Sequence, residues 1–589
     1  MAWPFRQRIP LDARGQDQHD ASAAVSRGEE ATNQLQAAEA TLRAIAPVDA
    51  SGLKEVETLC GHVGSWIDAM LEDLTQPQGN LNRYGGSVEA AYERLKNTVG
   101  TSPDVVLRKF WLGSQARWPA LLAFVDGLAD NTMIDRDILM NLQLYPIPQG
   151  GQAEVVFEAV HQAAVAVGHV STEAEWDKLL VKLIAGNALL FLEGASQVLV
   201  LDTVKFPSRS LGRSQTEPSV LGPQEAFNEI SLTQMNLLRL RIQSPGLRFT
   251  ELTLGNRSLT QVLLVHLDDV TNPALVSAVL ERLNSIQRDS VQTANEVAEY
   301  LADRRWTLFP QTRQTDRVEW VAREIMAGKV AVLVANDPFA IILPNTLMDF
   351  YRTTQDYASS FWDTTLTRMV RFLALIIGIY LMPLYIALTS VNTDLIPTKL
   401  LLTIAGSRAG IPFPPISEVI IMWLIIEVLR EASARLPQQM ATTLGTVGAV
   451  VVGTAIVKAG VVDDIMIVTV TLTALGLFTS PSFELTSTWR WLFWGFIVTA
   501  YVFGIYGIVL MTVIVLAHVT SLENYGVPYF SPWGPLRVRE LSDTLIRLPL
   551  PFLTRRPLTL RTVDARMSER TVQAGSVDLY AGQRRARRR

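Results

Sequence analysis

The chain has 589 residues, a formal net charge of −5 and 48% hydrophobic residues, with one cysteine and six histidines. Its length exceeds a single domain of ~100–200 residues, so several structural units are expected. The single cysteine, Cys60, excludes an intramolecular disulfide and a cysteine-based zinc site, and no close histidine pair favours a metal centre, so we predict no metal and no cofactor.

Residues 1–92 are rich in Ala, Gln, Glu and Arg and show no strand pattern. Apolar residues have helical spacing at 37–46 and 56–71, and a polar, Gly-containing segment follows at 76–86. These features predict a helical N-terminal extension and a linker. Residues 1–8 lack the apolar core of a signal peptide, so we expect the N-terminal part of the chain to stay in the cytoplasm.

Residues 93–205 predict a small soluble α+β subdomain. Their apolar runs are short, and two of them flank a four-residue, Gly-containing link of the kind that joins β-hairpins. The predicted strands are 105–111, 120–125, 188–192 and 197–202. Residues 153–167 have helical spacing and lie between the two strand pairs.

Residues 206–365 predict a second soluble α+β subdomain. The predicted helices are 223–241 and 273–286, and the predicted strands are 249–254, 261–267, 330–334 and 339–343. This subdomain therefore repeats the strand–turn–strand and helix arrangement of the first. The two sequences share too little identity to define a sequence repeat.

Four stretches without any Asp, Glu, Lys or Arg lie towards the C-terminal end of the chain. They are Phe372–Thr393, Leu436–Val457, Ile465–Phe483 and Trp491–Ala517, with 22, 22, 19 and 27 residues. A helix needs ~20 apolar residues to cross a hydrocarbon core of ~30 Å, and it satisfies its own backbone hydrogen bonds in lipid. Residues 366–522 therefore predict an all-α polytopic transmembrane domain with four spans.

Basic residues flank this domain on both sides. Arg352, Arg368 and Arg371 precede the first span, and residues 537–589 contain thirteen arginines against five acidic residues. Lys and Arg prefer the cytoplasmic side, so an even number of spans places both basic clusters inside. Over 523–589 we predict a basic, disordered tail. Attraction to anionic lipid headgroups is an alternative role for this tail, and we assign no nucleic-acid partner.

The segment 416–434 is a doubtful fifth candidate, which we interpret as an interfacial or re-entrant helix rather than a full span. Ionisable residues are concentrated in and beside it: Glu418, Glu427, Arg430, Glu431 and Arg435. Two pairs of opposite charge have i,i+3 and i,i+4 spacing, which is typical of exposed ion pairs on a helix face. The functional alternative is an acidic stripe along an ion path, because ionisable groups at membrane depth usually face protein or water.

The predicted span 436–457 is unusually rich in small residues. Its glycines are Gly445, Gly448 and Gly453. Small residues let helices approach closely in lipid. Packing within the chain is one interpretation of this pattern, and a subunit contact or a pore-lining face is the other.

Catalytic motifs are missing from the sequence. It contains no phosphate-binding loop, no zinc-protease motif and no serine-hydrolase elbow. Since no nucleophile and base suggest themselves either, we predict that the protein is not an enzyme.

Ordered motifs run through most of the chain, from about Ser102 to Pro535. In the soluble part they are Asp104–Val106, Val125–Leu128, Gly186–Leu190, Gly222-Pro223 with Phe227 and Glu229, Asn236–Arg241 and Phe309–Gln311. In the apolar part they are Ile396–Leu401, Ser407-Arg408, Pro412–Pro414, Glu418, Leu429–Ala432, Arg435–Pro437, Gly504–Gly507 and Tyr525–Tyr529. In these motifs the chain resembles the GerA-type proteins, the A subunits of bacterial spore germinant receptors.

Two segments depart from the family pattern. Leu221–Gln224 reads Leu-Gly-Pro-Gln where the family has Arg-Gly-Pro-Arg, and Thr315–Val318 reads Thr-Asp-Arg-Val where the family has Thr-Glu-Arg-Pro. Partner contacts that the family makes there are therefore not carried over to this chain.

The resemblance implies a subunit in the inner membrane of an endospore. It would act with a transporter-like B subunit that senses nutrient and with a lipoprotein C subunit. It would also form a homo-oligomeric ring that conducts cations when the germinant binds. A paralogous branch works beside the dipicolinate-release machinery, so a non-conducting membrane scaffold is the alternative. A secondary transporter is a third hypothesis, against which the lack of repeated halves among the spans argues.

Overall fold

The structure, a computed structural model, describes residues 82–567 apart from 101, 114–117, 147–151, 165–166, 206–211, 213, 215–216, 218, 436–453 and 457. For residues 163–164 and 433–435 it describes the backbone alone. Most of the predicted N-terminal extension thus lies outside the described residues. The chain divides into two compact units, and the smaller one includes residues 82–84 and 175–177 of the described part. Within that unit, the Trp176 N–H donates to the Asn82 carbonyl over 2.9 Å.

The first sheet of the larger unit is antiparallel, with the strand order β1-β2-β4-β5-β3. Its elements and their helices are α1 (Val88–Thr98), β1 (Val105–Leu112), β2 (Trp118–Val125), α2 (131–144), α3 (153–164), β3 (Val170–Glu173), α4 (Trp176–Ile184), β4 (Ala188–Leu192) and β5 (Val198–Leu201). The strands β4 and β5 are continuous apolar runs, and all their residues are buried. Strands covered on both faces are expected to have this pattern.

The second sheet is also antiparallel, with the order β6-β7-β9-β10-β8. Its elements and their helices are α5 (Ser231–Arg241), β6 (Leu247–Leu254), β7 (Thr260–Leu267), α6 (Pro273–Asn284), α7 (Ala294–Leu301), β8 (Arg313–Thr315), α8 (Val318–Met326), β9 (Val330–Val334) and β10 (Ala340–Leu343). Helices α5 and α8 pack on one face of the sheet, and α6 and α7 pack on the other. Alternate residues of β7 and β9 therefore enter two different apolar cores.

The two sheets share one topology and one spacing. A shift of 142 residues converts the bounds of β1, β2, α4, β4 and β5 into those of β6, β7, α8, β9 and β10. Gly186 and Gly328 occupy equivalent turns with φ of +98° and +100°, and Gly194 and Asn336 follow with +76° and +68°. Glycine and asparagine are the residues that tolerate this left-handed conformation. The structure therefore shows an internal repeat, and we call its copies the first repeat and the second repeat.

Two local expectations for the repeats are wrong. The helix predicted over 223–241 begins only at Ser231. The residues before it are held in another conformation, because the Phe227 N–H donates to the Asp316 carbonyl over 2.8 Å. The strands β3 and β8 were not predicted, since Val-Ser-Thr-Glu and Arg-Gln-Thr contain no apolar alternation.

Helices follow the second repeat. They are α9 (Phe361–Ile386), α10 (Thr398–Arg408), α11 (Pro415–Arg435), α12 (Asp464–Phe478), α13 (Phe483–Phe503) and α14 (Ile505–Thr520). Among the described helices one, α9 with its π-helical continuation to Val391, is long and apolar enough to cross a membrane. Helices α12 and α14 are apolar but shorter. A polytopic membrane domain therefore remains a proposal.

Helices α9, α12, α13 and α14 pack side by side in alternating directions. The end of α9 lies beside the start of α12, because the Tyr385 hydroxyl donates to Asp463 over 3.0 Å. The turn between α13 and α14 lies at this same end, because the Ile505 N–H donates to Asn392 over 2.9 Å. The start of α9 and the end of α14 consequently share the opposite end. We call it the proximal end, since the second repeat contacts it.

The prediction of a single span over Trp491–Ala517 is wrong. The chain reverses direction at Gly504, whose φ of +62° and ψ of −140° lie in a region that is essentially open to glycine alone. A Cβ atom at this position would lie 2.0 Å from Asn392 Oδ1. Helices α13 and α14 therefore form a hairpin. A single glycine makes the turn, so no polar residue marks it in the sequence.

The interfacial or re-entrant placement predicted for 416–434 stays a prediction, and this helix is not among the described helices that are long and apolar enough to cross a membrane. Helix α11 is a continuous helix of 21 residues, which at 1.5 Å per residue is about 32 Å long. One face of α11 is buried against the other helices, with Val419 and Trp423 in the core. The Trp423 ring stacks on Phe493 of α13, with 4.1 Å between the ring centroids. This burial is tolerated because charges of α11 are paired with arginines.

The prediction of a disordered tail from residue 523 onward is wrong for residues 523–567. Within this segment Tyr529 is fully buried, and its carbonyl accepts a hydrogen bond from the Leu347 N–H over 2.8 Å. Arg547 donates to two backbone carbonyls that precede α9. The composition of the segment suggests a solvated tail, whereas its arginines satisfy carbonyls of the folded chain.

Candidate functional site

The predicted polar residues of α11 fall into two separate groups in the structure, and the first group surrounds Glu418. This carboxylate is fully buried, and Arg408 of α10 lies 3.1 Å from it. Its other oxygen accepts a hydrogen bond from the Asp463 N–H over 3.2 Å. Glu418 therefore joins α10, α11 and the start of α12.

The second group surrounds Glu427, nine residues along the helix and on its other side. Glu427 forms ion pairs with Arg430 of its own helix and, over 3.1 Å, with Arg490 of α13. All three side chains are partly exposed. Glu431 also has an interaction partner, whereas the Arg435 side chain lies outside the described part. Glu427 is thus paired with two arginines in the structure, and the acidic stripe along an ion path stays a prediction.

The predicted small-residue positions lie outside the described residues: Gly445, Gly448 and Gly453. Their role in packing stays a prediction. The described helices contain a close glycine contact elsewhere, between Gly378 of α9 and Gly476 of α12. A Cβ atom on Gly476 would lie 2.3 Å from the Ala374 carbonyl oxygen. Small residues therefore set the approach of these two helices.

A group of buried charges that the sequence analysis did not assign lies at the proximal end. Asp356, in a one-turn helix just before α9, is 2% exposed. Its carboxylate accepts hydrogen bonds from Arg368 Nε over 3.0 Å and from Arg371 Nη2 over 2.9 Å. Thr353 donates to it with both its N–H and its hydroxyl. Two arginines of α9 are thereby fixed to the segment that connects α9 to the second repeat.

A second carboxylate extends this network to the C-terminal segment. Asp543 accepts hydrogen bonds from Arg368 over 2.9 Å and from the Tyr357 hydroxyl over 2.7 Å. Arg547 donates to the Asp356 carbonyl over 2.5 Å. Asp543 and Arg547 both bind at the start of α9. The C-terminal segment therefore also holds this end of the helix in place.

A third carboxylate extends the network into the second repeat. Asp349 forms an ion pair with Lys329 over 2.8 Å and with Arg352 over 3.3 Å. Lys329, the residue immediately before β9, also pairs with Glu324 of α8 over 2.5 Å. Lys329, Asp349 and Glu324 are all buried. We call the connected set around Asp349, Asp356 and Asp543 the proximal charge network.

The pKa values in this network follow from burial opposed by positive charge. Burial would raise the pKa of Asp349, but Lys329 and Arg352 outweigh it and lower that pKa to about 2. Burial would also raise the pKa of Asp356 and of Asp543. Their arginine partners outweigh burial and lower the pKa of each carboxyl below its ordinary value. The three aspartates are therefore ionised at neutral pH.

A cavity of about 210 Å³ adjoins the network, between the second repeat and the C-terminal segment. Its lining includes Lys329, Asp349, Tyr357 and Asp543. A liquid water molecule occupies about 30 Å³, so this space can hold several waters. The arrangement places several buried charges beside this space.

Sequence reasoning missed this network because its members are far apart in the chain. Arg368 and Asp543 are separated by 175 residues, and Asp356 and Arg547 by 191. A local signal existed only at Arg352, Arg368 and Arg371, which were assigned to the positive-inside pattern. Arg490 was also missed, although a single arginine between two tryptophans is a usable signal.

The structure brings together the two segments that depart from the family pattern. The Arg317 guanidinium donates to the Pro223 carbonyl over 2.7 Å and to the Glu217 carbonyl over 2.9 Å. Arg317 is 1% exposed. The arginine that this chain retains therefore has a structural partner inside the other departing segment.

Comparison with known proteins gives consistent matches over the same regions. Residues 93–559 match the family described as Bacillus/Clostridium GerA spore germination protein. Spore germination protein KA of Bacillus subtilis (strain 168) is 32% identical over 454 residues, which cover 77% of this chain and 83% of that protein. The uncharacterized membrane protein YfkQ of the same organism is 32% identical over 471 residues, covering 79% and 90% respectively.

The chain is also similar to a solved structure, the N-terminal domain of the A subunit of the Bacillus megaterium spore germinant receptor GerK3. It has 23% sequence identity and a TM-score of 0.34, and the match covers 44% of this chain and 95% of that domain. This TM-score is too low to support a structural argument.

The fold defines a protein of two α+β repeats followed by apolar helices, one of which is long enough to cross a membrane. The match over residues 93–559 extends through both parts. The chain belongs to the GerA family of spore germination proteins, so the resemblance seen in the sequence is confirmed.

Proposed function

We propose that the protein is the membrane subunit of a spore germinant receptor and acts in nutrient-triggered germination as an oligomeric, ligand-gated, ion-conducting subunit. It would lie in the spore inner membrane with its two repeats in the cytoplasm. Its partners would be a transporter-like B subunit and a lipoprotein C subunit. Family membership and the apolar helices support this proposal, which includes no catalytic step.

The observation that carries the gating part is the proximal charge network. Arg368 of α9 binds both Asp356 and Asp543, and the latter belongs to the C-terminal segment. Lys329 and Asp349 connect the same region to the second repeat. A displacement of the second repeat would therefore pull directly on the start of α9. Removing one partner of a buried ion pair costs about 3–5 kcal/mol, so such a connection is stiff.

The conducting part rests on α11. One stripe of this helix is both apolar and exposed. Its residues have i, i+4, i+8 spacing: Ile420, Leu424 and Val428. A second copy of the chain could cover that stripe and place the α11 helices around an axis. Glu427 lies next to the stripe in sequence and is partly exposed beside Arg490. Exchange of Arg490 for a mobile cation would then open a path lined by carboxylates.

The replacement Glu427→Gln tests conduction. We expect cation release from spores after nutrient addition to slow by about tenfold or more, because a charge-assisted interaction worth about 1.5–3 kcal/mol is lost. The subunits should still co-purify. The matched control is Glu523→Gln, which changes an exposed carboxylate outside the helices. Unaltered cation release by Glu427→Gln would remove the conducting role.

One observation favours a second candidate, a scaffold that assembles germination proteins beside the dipicolinate-release machinery without conducting. Both Glu418 and Glu427 are paired with arginines of neighbouring helices, as in a purely structural role. On this hypothesis Glu427→Gln would leave ion release unchanged. A replacement of Glu418 would then reduce complex assembly and dipicolinate release together.

A further inference from the structure

The loop between α7 and β8 exposes an unusual set of residues. Trp306 is fully exposed, at 101% of its reference area, and Leu308 is 51% exposed. Arg304 and Arg305 precede them directly. In the first repeat the residues 142 positions earlier are Gln, Ala and Ala at 162–164. Those residues lie in helix α3, so the exposed loop with its two arginines and tryptophan is a feature of the second repeat.

This loop is anchored to the proximal end of the helices. The Thr307 hydroxyl and His518 Nε2 of α14 lie 2.9 Å apart in a hydrogen bond. The Thr488 hydroxyl of α13 donates to the Leu308 carbonyl over 2.6 Å. Phe309 packs edge-on against Trp489, with 5.9 Å between ring centroids. Trp306 and its neighbours are thus held at the level where α13 begins and α14 ends.

The exposed side chains have the chemistry of a membrane–water interface. Indole rings concentrate at this level because they are apolar with one polar edge. Arginines near an anionic surface contribute ~1 kcal/mol each. An open groove of about 750 Å³ beside the loop is lined by Arg282, Arg304, Arg305, Trp306 and His518, with Asp303 as an acidic residue in its wall. The Arg282 guanidinium pairs with Asp303 over 2.6 Å, so Arg304 and Arg305 supply the positive charge that fits a phosphate-bearing headgroup.

We propose that the loop formed by residues 303–308 is a membrane-interface anchor for anionic phospholipid. Trp306 and Leu308 enter the headgroup region, and Arg304 and Arg305 bind the lipid phosphates. This inference rests on the proposed function, in which the apolar helices cross a membrane. It adds a lipid contact made by the second repeat itself. Lipid charge would then act on the same repeat that carries Lys329 and Asp349 of the proximal charge network.

The test uses the full chain in nanodiscs, with the cysteine removed by Cys60→Ser. A nitroxide label is attached after Trp306→Cys, Leu373→Cys or Val181→Cys, each made separately at an exposed position. Position 373 lies on α9 and reports lipid, and position 181 lies on α4 of the first repeat and reports solvent. Collision rates with oxygen and with a water-soluble nickel complex give the depth of each label. Each protein is measured in phosphatidylcholine and in phosphatidylcholine with phosphatidylglycerol.

We expect the oxygen-to-nickel ratio at position 306 to lie between the other two positions. It should rise at least about twofold when phosphatidylglycerol is present, and Arg304→Gln with Arg305→Gln should abolish that rise. A ratio equal to that at position 181 would overturn the anchor. Protection of position 306 from both reagents would also overturn it, because this indicates a protein contact such as a second copy. Solvent-like behaviour at position 373 would instead refute the proposed membrane span, and the anchor with it.

Discussion

The replacement Asp356→Asn tests whether the proximal charge network holds α9 to the rest of the protein. Asn keeps the size of the side chain but removes the charge that balances Arg368 and Arg371. Those arginines are 3% and 13% exposed at the side chain, so water cannot replace the lost partner. Breaking a buried pair by removing one partner costs about 3–5 kcal/mol.

The loss of stability caused by Asp356→Asn is best measured as a change in the free energy of local opening. Hydrogen exchange at the backbone amides of 353–371 reports the free energy that opens this region. A loss of about 3–5 kcal/mol corresponds to exchange that is about a hundred- to several-thousand-fold faster, since 1.4 kcal/mol is a factor of ten. Asp363→Asn is the matched control, because that aspartate is exposed and interacts with Ser360.

A second variant separates the ion pair from general damage. Adding Arg371→Met to Asp356→Asn removes one of the unbalanced charges, so the double variant should lose less than the sum of the two single effects. Exchange in Asp356→Asn that rises less than tenfold, or no more than in Asp363→Asn, would refute the reasoning.

Three further changes have definite expected results. Gly504→Ala should destabilise the α13–α14 hairpin, because its Cβ would lie 2.0 Å from Asn392 Oδ1; a lower yield of folded protein in detergent measures this. Gly476→Ala should lower the thermal unfolding midpoint by separating α9 from α12, with overpacking costs of about 1–3 kcal/mol. The pKa of Asp349 is about 2 in the fold against an ordinary 3.8. Its contribution to stability should therefore be complete above about pH 4 and fall as pH drops towards 2.

Each of these changes has an informative comparison. Gly406→Ala controls for the helical glycine, because a Cβ there would meet nothing within 4 Å. Equal unfolding midpoints for the two glycine variants would contradict the close-contact argument. Asp349→Asn should reduce the loss of stability between about pH 4 and pH 2. An unchanged dependence of stability on pH would contradict the assignment of that loss to the Asp349 carboxyl. Wild-type yield for Gly504→Ala would show that the turn tolerates a side chain.

Local patterns in the sequence located most of the repeats' strands. β4 and β9 are short, continuous apolar runs next to turns, so their burial could be inferred from the residues themselves. The same reasoning missed β8, whose Arg-Gln-Thr lies in a sheet only because β10 supplies its hydrogen bonds. It also merged α13 with α14, because hydropathy does not register a reversal made by one glycine.

The sequence by itself determined the family, the presence of apolar helices and the charged character of α11, because each depends on residue type and near spacing. Only the tertiary structure decided that the two sheets share one 142-residue spacing, and that Glu418 faces Arg408 while Glu427 faces Arg490. Only the tertiary structure shows that Arg368 forms an ion pair with Asp543. The physical reason is range: hydrophobic periodicity is written within a few residues, whereas a buried charge is balanced by whichever partner the fold brings within about 3 Å.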